Sequence, residues 1–197
     1  GDNKELRDKH VQTIIEEADY LTHFVNDLLD LSRVESGLGQ LNLDAVDLKA
    51  LTEDVLCRFK NLERTGYTFL IHGKGSVVCD ENKMRQVIYN FITNAVNYST
   101  DKKQIDIYMI EQKDQITYCV RDYGRGMADG DQDKIWDRFY RGRDNHERQV
   151  VGTGLGLFIC KNILDLHGFT YGVKSKLGEG STFYFQVHLG ENEKGEA

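Results

Sequence analysis

The chain has 197 residues, a formal net charge of −7, and 40% hydrophobic against 29% charged residues. That balance fits a globular domain with an appendage and argues against a nucleic-acid grip made from a basic surface. No run of roughly 18 or more apolar residues is present to span a membrane. Cys57, Cys79, Cys119 and Cys160 lack metal-ligand spacing and read as reduced core residues of a cytosolic protein.

In chain order, Val11, Ile14, Ala18, Leu21, Val25 and Leu28 recur at alternating intervals of three and four. This coiled-coil seam predicts a long helical arm over residues 1–37, ended by Gly37, whose apolar stripe needs a partner helix. The stretch LNLDAVDL alternates like a strand and supplies Asp47 as the N-cap of a helix running to about residue 61. Strands are predicted over 67–72 and 77–79. Asp80 then caps a helix to residue 98 whose apolar stripe includes Met84, Val87, Ile88, Phe91, Ile92 and Ala95. Strands over 104–112 and 115–122 follow, joined by Lys113-Asp114. Residues 123–151 are Gly-rich and charged around an aromatic island, Trp136-Asp137-Arg138-Phe139-Tyr140, and a loop of that length is usually functional. A helix to about His167 and strands over 170–176 and 182–188 complete a domain over 38–190, before a polar tail over 191–197. The order predicts an α+β fold, a two-layer sandwich of a mixed, mostly antiparallel sheet with helices on one face.

Three local patterns carry chemistry. Asn90, Asn94 and Asn97 fall four and three residues apart, so one helix face bears three amides. Such amides either satisfy neighbouring backbone or offer oxygen to a hard cation such as Mg²⁺. In VRDYGRGM, Asp122 ends a strand ahead of Gly124 and Gly126. It either closes an Asx turn or accepts a hydrogen bond from an adenine amino group. Gly152, Gly154 and Gly156 lead straight into a helical pattern. Glycines there serve a tight turn, or bring bare N–H groups and the positive end of a helix dipole to a phosphate.

Together these segments resemble sensor histidine kinases. RQVIYNFITNAVNYS resembles their N box, DYGRGM their first glycine box, IWDRFYR their F box and GTGLGLFI their second glycine box. The order and spacing match from about residue 5 to 189. The resemblance implies the Bergerat-type ATP fold shared with DNA gyrase and heat-shock chaperone ATPases, with a mobile lid over the nucleotide. It implies that Asn94 holds Mg²⁺, with Asn90 and Asn97 on the same face, and that Tyr98 lies against the adenine. Asp122 would receive the adenine amino group with Thr182 beside it, and Gly124 and Gly126 would give room for the base. Gly152, Thr153, Gly154, Leu155, Gly156 and Leu157 would form the phosphate cradle, Phe139 and Tyr140 would anchor the lid, and Arg141 or Arg143 would reach phosphate oxygens.

Related ATPases of this fold carry a glutamate at the position of Asn90, where it activates water. An amide cannot act as a general base at neutral pH, so Asn90 favours phosphoryl transfer over autonomous ATP hydrolysis. Asn97 departs from the family, which often has a basic residue there, and favours an alternative reading as a nucleotide-binding scaffold signalling through dimer contacts. The phosphate-accepting histidine of the family lies in a pattern that ends in proline, and this chain has no proline. Only His146 is followed by an acid, in HERQVV, which falls in the predicted lid. The chain therefore reads as the second helix of a dimerisation hairpin plus a catalytic domain, expected to bind ATP without phosphorylating itself. The resemblance also implies a response-regulator receiver as partner, a homodimer in the intact protein and a membrane-anchored sensor upstream.

Overall fold

The computed structural model describes residues 40–140 and 154–189, together with Arg7, Val11 and Val25 as isolated helical positions. The rest of the predicted arm, the tail over 191–197, and Arg141, Arg143, His146, Gly152 and Thr153 lie outside the described residues.

Strand β1 (Leu43–Asp47) leads into helix α1 (Leu48–Leu56). Asp47 caps α1 as expected, its Oδ1 accepting from the N–H groups of Lys49 at 2.8 Å and Ala50 at 3.1 Å. The helix predicted to run to residue 61 instead tightens after Leu56 into a 3-10 turn, Cys57–Phe59, and continues as the short α2 (Lys60–Glu63). This turn buries Phe59, whose ring lies 6.0 Å from that of Phe69 and 5.5 Å from that of Tyr89. Tertiary packing has overridden a helical period here.

Next come β2 (Thr68–Gly73), β3 (Ser76–Asp80) and the long α3 (Glu81–Tyr98). Asp80 caps α3 by accepting from the Lys83 N–H at 3.1 Å, and its second oxygen takes the Asn42 N–H. The remaining elements are β4 (Gln104–Gln112), β5 (Gln115–Arg121), α4 (Gly156–Leu166), β6 (Thr170–Lys176) and β7 (Gly180–His188).

The main sheet runs β2-β4-β5-β7-β6, parallel between β2 and β4 and antiparallel elsewhere. The parallel step exists because α3 intervenes between these strands and provides a crossover. Strands β1 and β3 form a separate antiparallel ladder. This is the expected α+β class with a mixed, mostly antiparallel sheet.

Period-two alternation divides the sheet into two faces. Ile116, Tyr118 and Val120 of β5 and Phe183, Phe185 and Val187 of β7 are buried. In the same core lie Met84, Val87, Ile88 and Phe91 of α3 and Ile159 and Ile163 of α4. Trp136 also belongs to this core, edge-on to Phe91 at 6.4 Å and 4.9 Å from Tyr171. Part of the aromatic island therefore plugs the domain rather than moving with the loop.

Tyr118 is fully buried and stacks on Phe185 at 5.0 Å. Its hydroxyl meets Thr52 Oγ1 at 3.0 Å, while the Thr52 hydroxyl donates to the Leu48 carbonyl at 2.6 Å. Burial pushes the phenol far above its ordinary range. Tyr118→Phe should cost only about 1 kcal/mol in a denaturant melt, because Thr52 keeps its own acceptor and no buried donor is orphaned. A loss above about 3 kcal/mol would show that the hydroxyl does more than join α1 to the sheet.

Candidate functional site

Asp122 follows the last residue of β5 and is 1% exposed. Its Oδ1 accepts from the Gly124 N–H at 2.9 Å and the Ser181 N–H at 3.2 Å, and its own N–H donates to the Ser181 carbonyl at 2.9 Å. Oδ2 is buried and has no hydrogen-bond partner among the described residues. Burial pushes this carboxyl above its ordinary value, opposed by the backbone donors of Gly124 and Ser181. A buried acceptor left unpaired is costly, and such atoms are rare in native proteins. The arrangement is therefore an Asx-type turn in which one oxygen holds the loop and the other is left to accept from a further donor.

The glycines of this loop are required by the protein's own backbone. A Cβ on Gly124 would overlap the Tyr98 carbonyl oxygen. Gly126 has φ +65°, and a Cβ there would overlap the Lys176 carbonyl oxygen. Main-chain carbonyls therefore require glycine at both positions, whatever lies beside them. The Arg125 N–H donates to the Tyr98 carbonyl at 3.3 Å, and the Arg125 carbonyl accepts from Gly178 at 2.7 Å. Tyr98 is half-buried, with the Arg125 guanidinium 4.8 Å above its ring. The turn before β7 and the end of α3 together clamp the segment after β5.

Thr182 needs a correction. It pairs with Arg121 on one side and Lys174 on the other, sharing the sheet face opposite to Asp122. Ser181 occupies the face of Asp122, 6% exposed, with its hydroxyl 3.0 Å from that of Ser175. A strand reverses its facing with every residue, so a one-residue misplacement moves the side chain across the sheet. Gly180 also belongs here. It has φ +88°, and its missing side chain makes room for the Asp122 carbonyl. The glycine-rich turn before β7 is legible in the sequence, but nothing local marks what Gly180 faces.

The second half of the site is the start of α4. Its N-cap, Leu155, makes no side-chain cap hydrogen bond, and the positive end of the helix dipole lies at this point. Gly154 has φ +70°, and its carbonyl accepts from the Phe139 N–H at 3.1 Å. Phe139 itself is at φ +60° and 57% exposed, so its backbone rather than its ring makes the attachment. The Tyr140 hydroxyl donates to Asp131 Oδ1 at 2.6 Å. The Leu155 side chain is fully buried in the core, and Leu157 is half-buried.

Asn90 brings α3 to this point. Its amide donates to the Gly156 carbonyl at 3.3 Å, and a Cβ on Gly156 would come within 3.3 Å of Asn90 Oδ1. Asn94, one turn later, is half-buried, and Asn97 is exposed. Among the described residues no cluster of three or more His, Cys, Asp or Glu side chains could cage a metal. Asn94 carries an amide oxygen, a donor of the kind a magnesium ion accepts alongside phosphate and water.

Residues 79–191 match the family model of histidine kinase-, DNA gyrase B- and HSP90-like ATPases. Sensor protein SrrB of Staphylococcus aureus is 31% identical over 177 residues, covering 88% of this chain and 30% of that protein. The circadian input-output histidine kinase CikA of Synechococcus elongatus is 28% identical over 189 residues, covering 93% of this chain and 25% of that protein. The chain thus spans less than a third of these relatives. Among solved structures, the histidine kinase AdeS of Acinetobacter baumannii superposes with a TM-score of 0.74 at 25% identity, over 91% of this chain and 83% of that one. Full-length ShkA, solved in complex with AMPPNP, gives 0.75 at 25% identity over 91% of this chain and 38% of that one.

Proposed function

We propose, since this chain belongs to the histidine kinase-, DNA gyrase B- and HSP90-like ATPase family, that it is the ATP-binding catalytic portion of a sensor histidine kinase. It passes the γ-phosphoryl group of ATP to a histidine on a dimerisation helix. The observation that carries the adenine assignment is the buried, unpartnered Oδ2 of Asp122.

In this reading Asp122 Oδ2 accepts the adenine amino group and the start of α4 receives the phosphates. Backbone N–H groups there carry fixed positive partial charge at no reorganisation cost. Asn94 holds the magnesium ion, which when bound neutralises phosphate charge. Asn90 supports the start of α4 through Gly156 and, being an amide, extracts no proton from water. Transfer therefore goes to an external nucleophile: the bond from the γ-phosphorus to its bridging oxygen breaks, ADP leaves with that electron pair, and an imidazole nitrogen forms the new bond. Arg141 and Arg143 lie in sequence between Tyr140 and the glycine box and supply candidate phosphate contacts. A response-regulator receiver is the next acceptor, and the intact protein is a homodimer with its catalytic portion in the cytoplasm. Among the described residues no helix is long and apolar enough to cross a membrane.

The chain should bind ATP with magnesium in calorimetry and label a complete dimerisation hairpin supplied in trans. Asn94→Ala should remove the magnesium enhancement of ATP affinity and slow transfer by about 100-fold, the effect of losing roughly 3 kcal/mol of transition-state stabilisation. Binding of ATP without any transfer to a competent hairpin would favour the scaffold reading, and rapid steady-state phosphate release would favour a hydrolase.

A further inference from the structure

Asp122 and Tyr123 leave the end of β5 toward opposite faces of the sheet. Asp122 lies on the face of Ser181, whereas the Tyr123 hydroxyl donates at 2.5 Å to Oδ2 of Asp106, on the face of Arg121. Asp106 is only 2% exposed on β4, a burial unusual for a carboxylate, and it also accepts from Gln104 at 2.8 Å and Tyr108 at 3.3 Å. Two cations lie over the Tyr123 ring: Lys102 Nζ at 3.3 Å and the Arg121 guanidinium at 4.8 Å. Burial raises the Asp106 carboxyl, but hydrogen bonds from Tyr123, Gln104 and Tyr108 outweigh it and hold the group below its ordinary value, ionised at neutral pH.

Tyr123 is the residue enclosed by the turn in which Gly124 N–H bonds Asp122 Oδ1. Fixing its side chain on the far face fixes the rotation of the peptide units on either side of it. Those units decide where Asp122 Oδ1 is held and hence where Oδ2 points. An acceptor must lie within a few tenths of an ångström of its donor to give full hydrogen-bond strength.

We propose that the Asp106–Tyr123 pair is a positioning device for adenine recognition, aiming Asp122 from the opposite side of the sheet and setting selectivity for a purine that carries an amino group. The inference rests on the reading that ATP binds at Asp122. A residue that merely stabilised the loop would alter the binding of all nucleotides alike. A residue that aims Asp122 alters only the part of affinity owed to the amino group.

The test uses the full chain and two nucleotides, ATP and purine riboside triphosphate, which lacks the 6-amino group. Tyr123→Phe removes the hydroxyl and keeps the ring beneath its cations. It should reduce the preference for ATP over the purine analogue by about fivefold, with binding of the analogue unchanged. Asp106→Ala should reproduce this loss, and the double variant should lose no more than either single one, since the two groups act as a unit. Equal losses for both nucleotides, an unchanged preference in Tyr123→Phe, or additive losses in the double variant would overturn the inference. Failure of the unaltered chain to prefer ATP would remove the adenine reading itself, a separate result.

Discussion

Asp122→Asn should lose adenine nucleotide by at least about 100-fold while the fold stays as stable or gains stability. The asymmetry comes from how the two carboxylate oxygens are used. Oδ1 accepts from the N–H groups of Gly124 and Ser181, so an asparagine must place its carbonyl oxygen there. Its NH₂ is then forced into the position of Oδ2, where a donor confronts the donor of the adenine amino group. A charge-assisted acceptor is lost and a buried donor is left unpaired, together about 3 kcal/mol.

Stability moves the other way. Burial raises the Asp122 carboxyl above its ordinary value, so the ionised form carries a penalty in the folded state. That penalty is fully present above the raised folded value, and it fades as pH falls through this value toward that of the unfolded chain. Asparagine removes it. The gain in melting temperature should therefore be largest near neutral pH and vanish on acidification. Calorimetry with ADP and melts at two pH values check both halves. Retained nucleotide affinity in a folded Asp122→Asn protein would show that the base is read elsewhere.

Gly180→Ala should be among the most damaging single methyls in the domain. Two costs coincide: φ +88° is unfavourable for any residue with a Cβ, and the new methyl would overlap the Asp122 carbonyl oxygen. Together they should cost about 3 kcal/mol or more and lower the melting temperature by roughly 10 °C. Gly178 supplies the control. Its φ is +77°, but a Cβ there meets nothing within 4 Å. Gly178→Ala should pay conformational strain alone, about 1 kcal/mol and a few degrees. Equal effects from the two alanines, measured by thermal melts side by side, would show that contact with the Asp122 loop contributes nothing at Gly180.

Much of this protein can be read from local chemistry. Asp47 and Asp80 cap the helices predicted for them, because a carboxylate ahead of an apolar helical repeat has nearby N–H groups to accept from. The apolar positions of α3 are buried as their period demands, and the strands succeed one another along the chain where alternation and turn residues mark them. Asp122, Asn90 and the glycine before α4 could be singled out because strand ends, exposed amides and helix starts have a recognisable chemistry at close range. Family membership reinforced these choices without being needed to find them.

What sequence could not decide was facing and closure. Thr182 and Ser181 are neighbours of similar chemistry, and only the pairing of β7 with β5 reveals that Ser181 stands beside Asp122. Trp136 looked like part of a mobile loop until Phe91 and Phe183 closed around it. Gly124, Gly126 and Gly180 were visible as glycines, but the carbonyls that exclude their side chains come from Tyr98, Lys176 and Asp122. Capping and periodicity are set by residues within one or two turns, so the chain alone determines them. Which atom fills the space beside a backbone depends on distant segments, 59 residues apart for Asp122 and Ser181 and 66 for Asn90 and Gly156, and only the assembled domain brings them together.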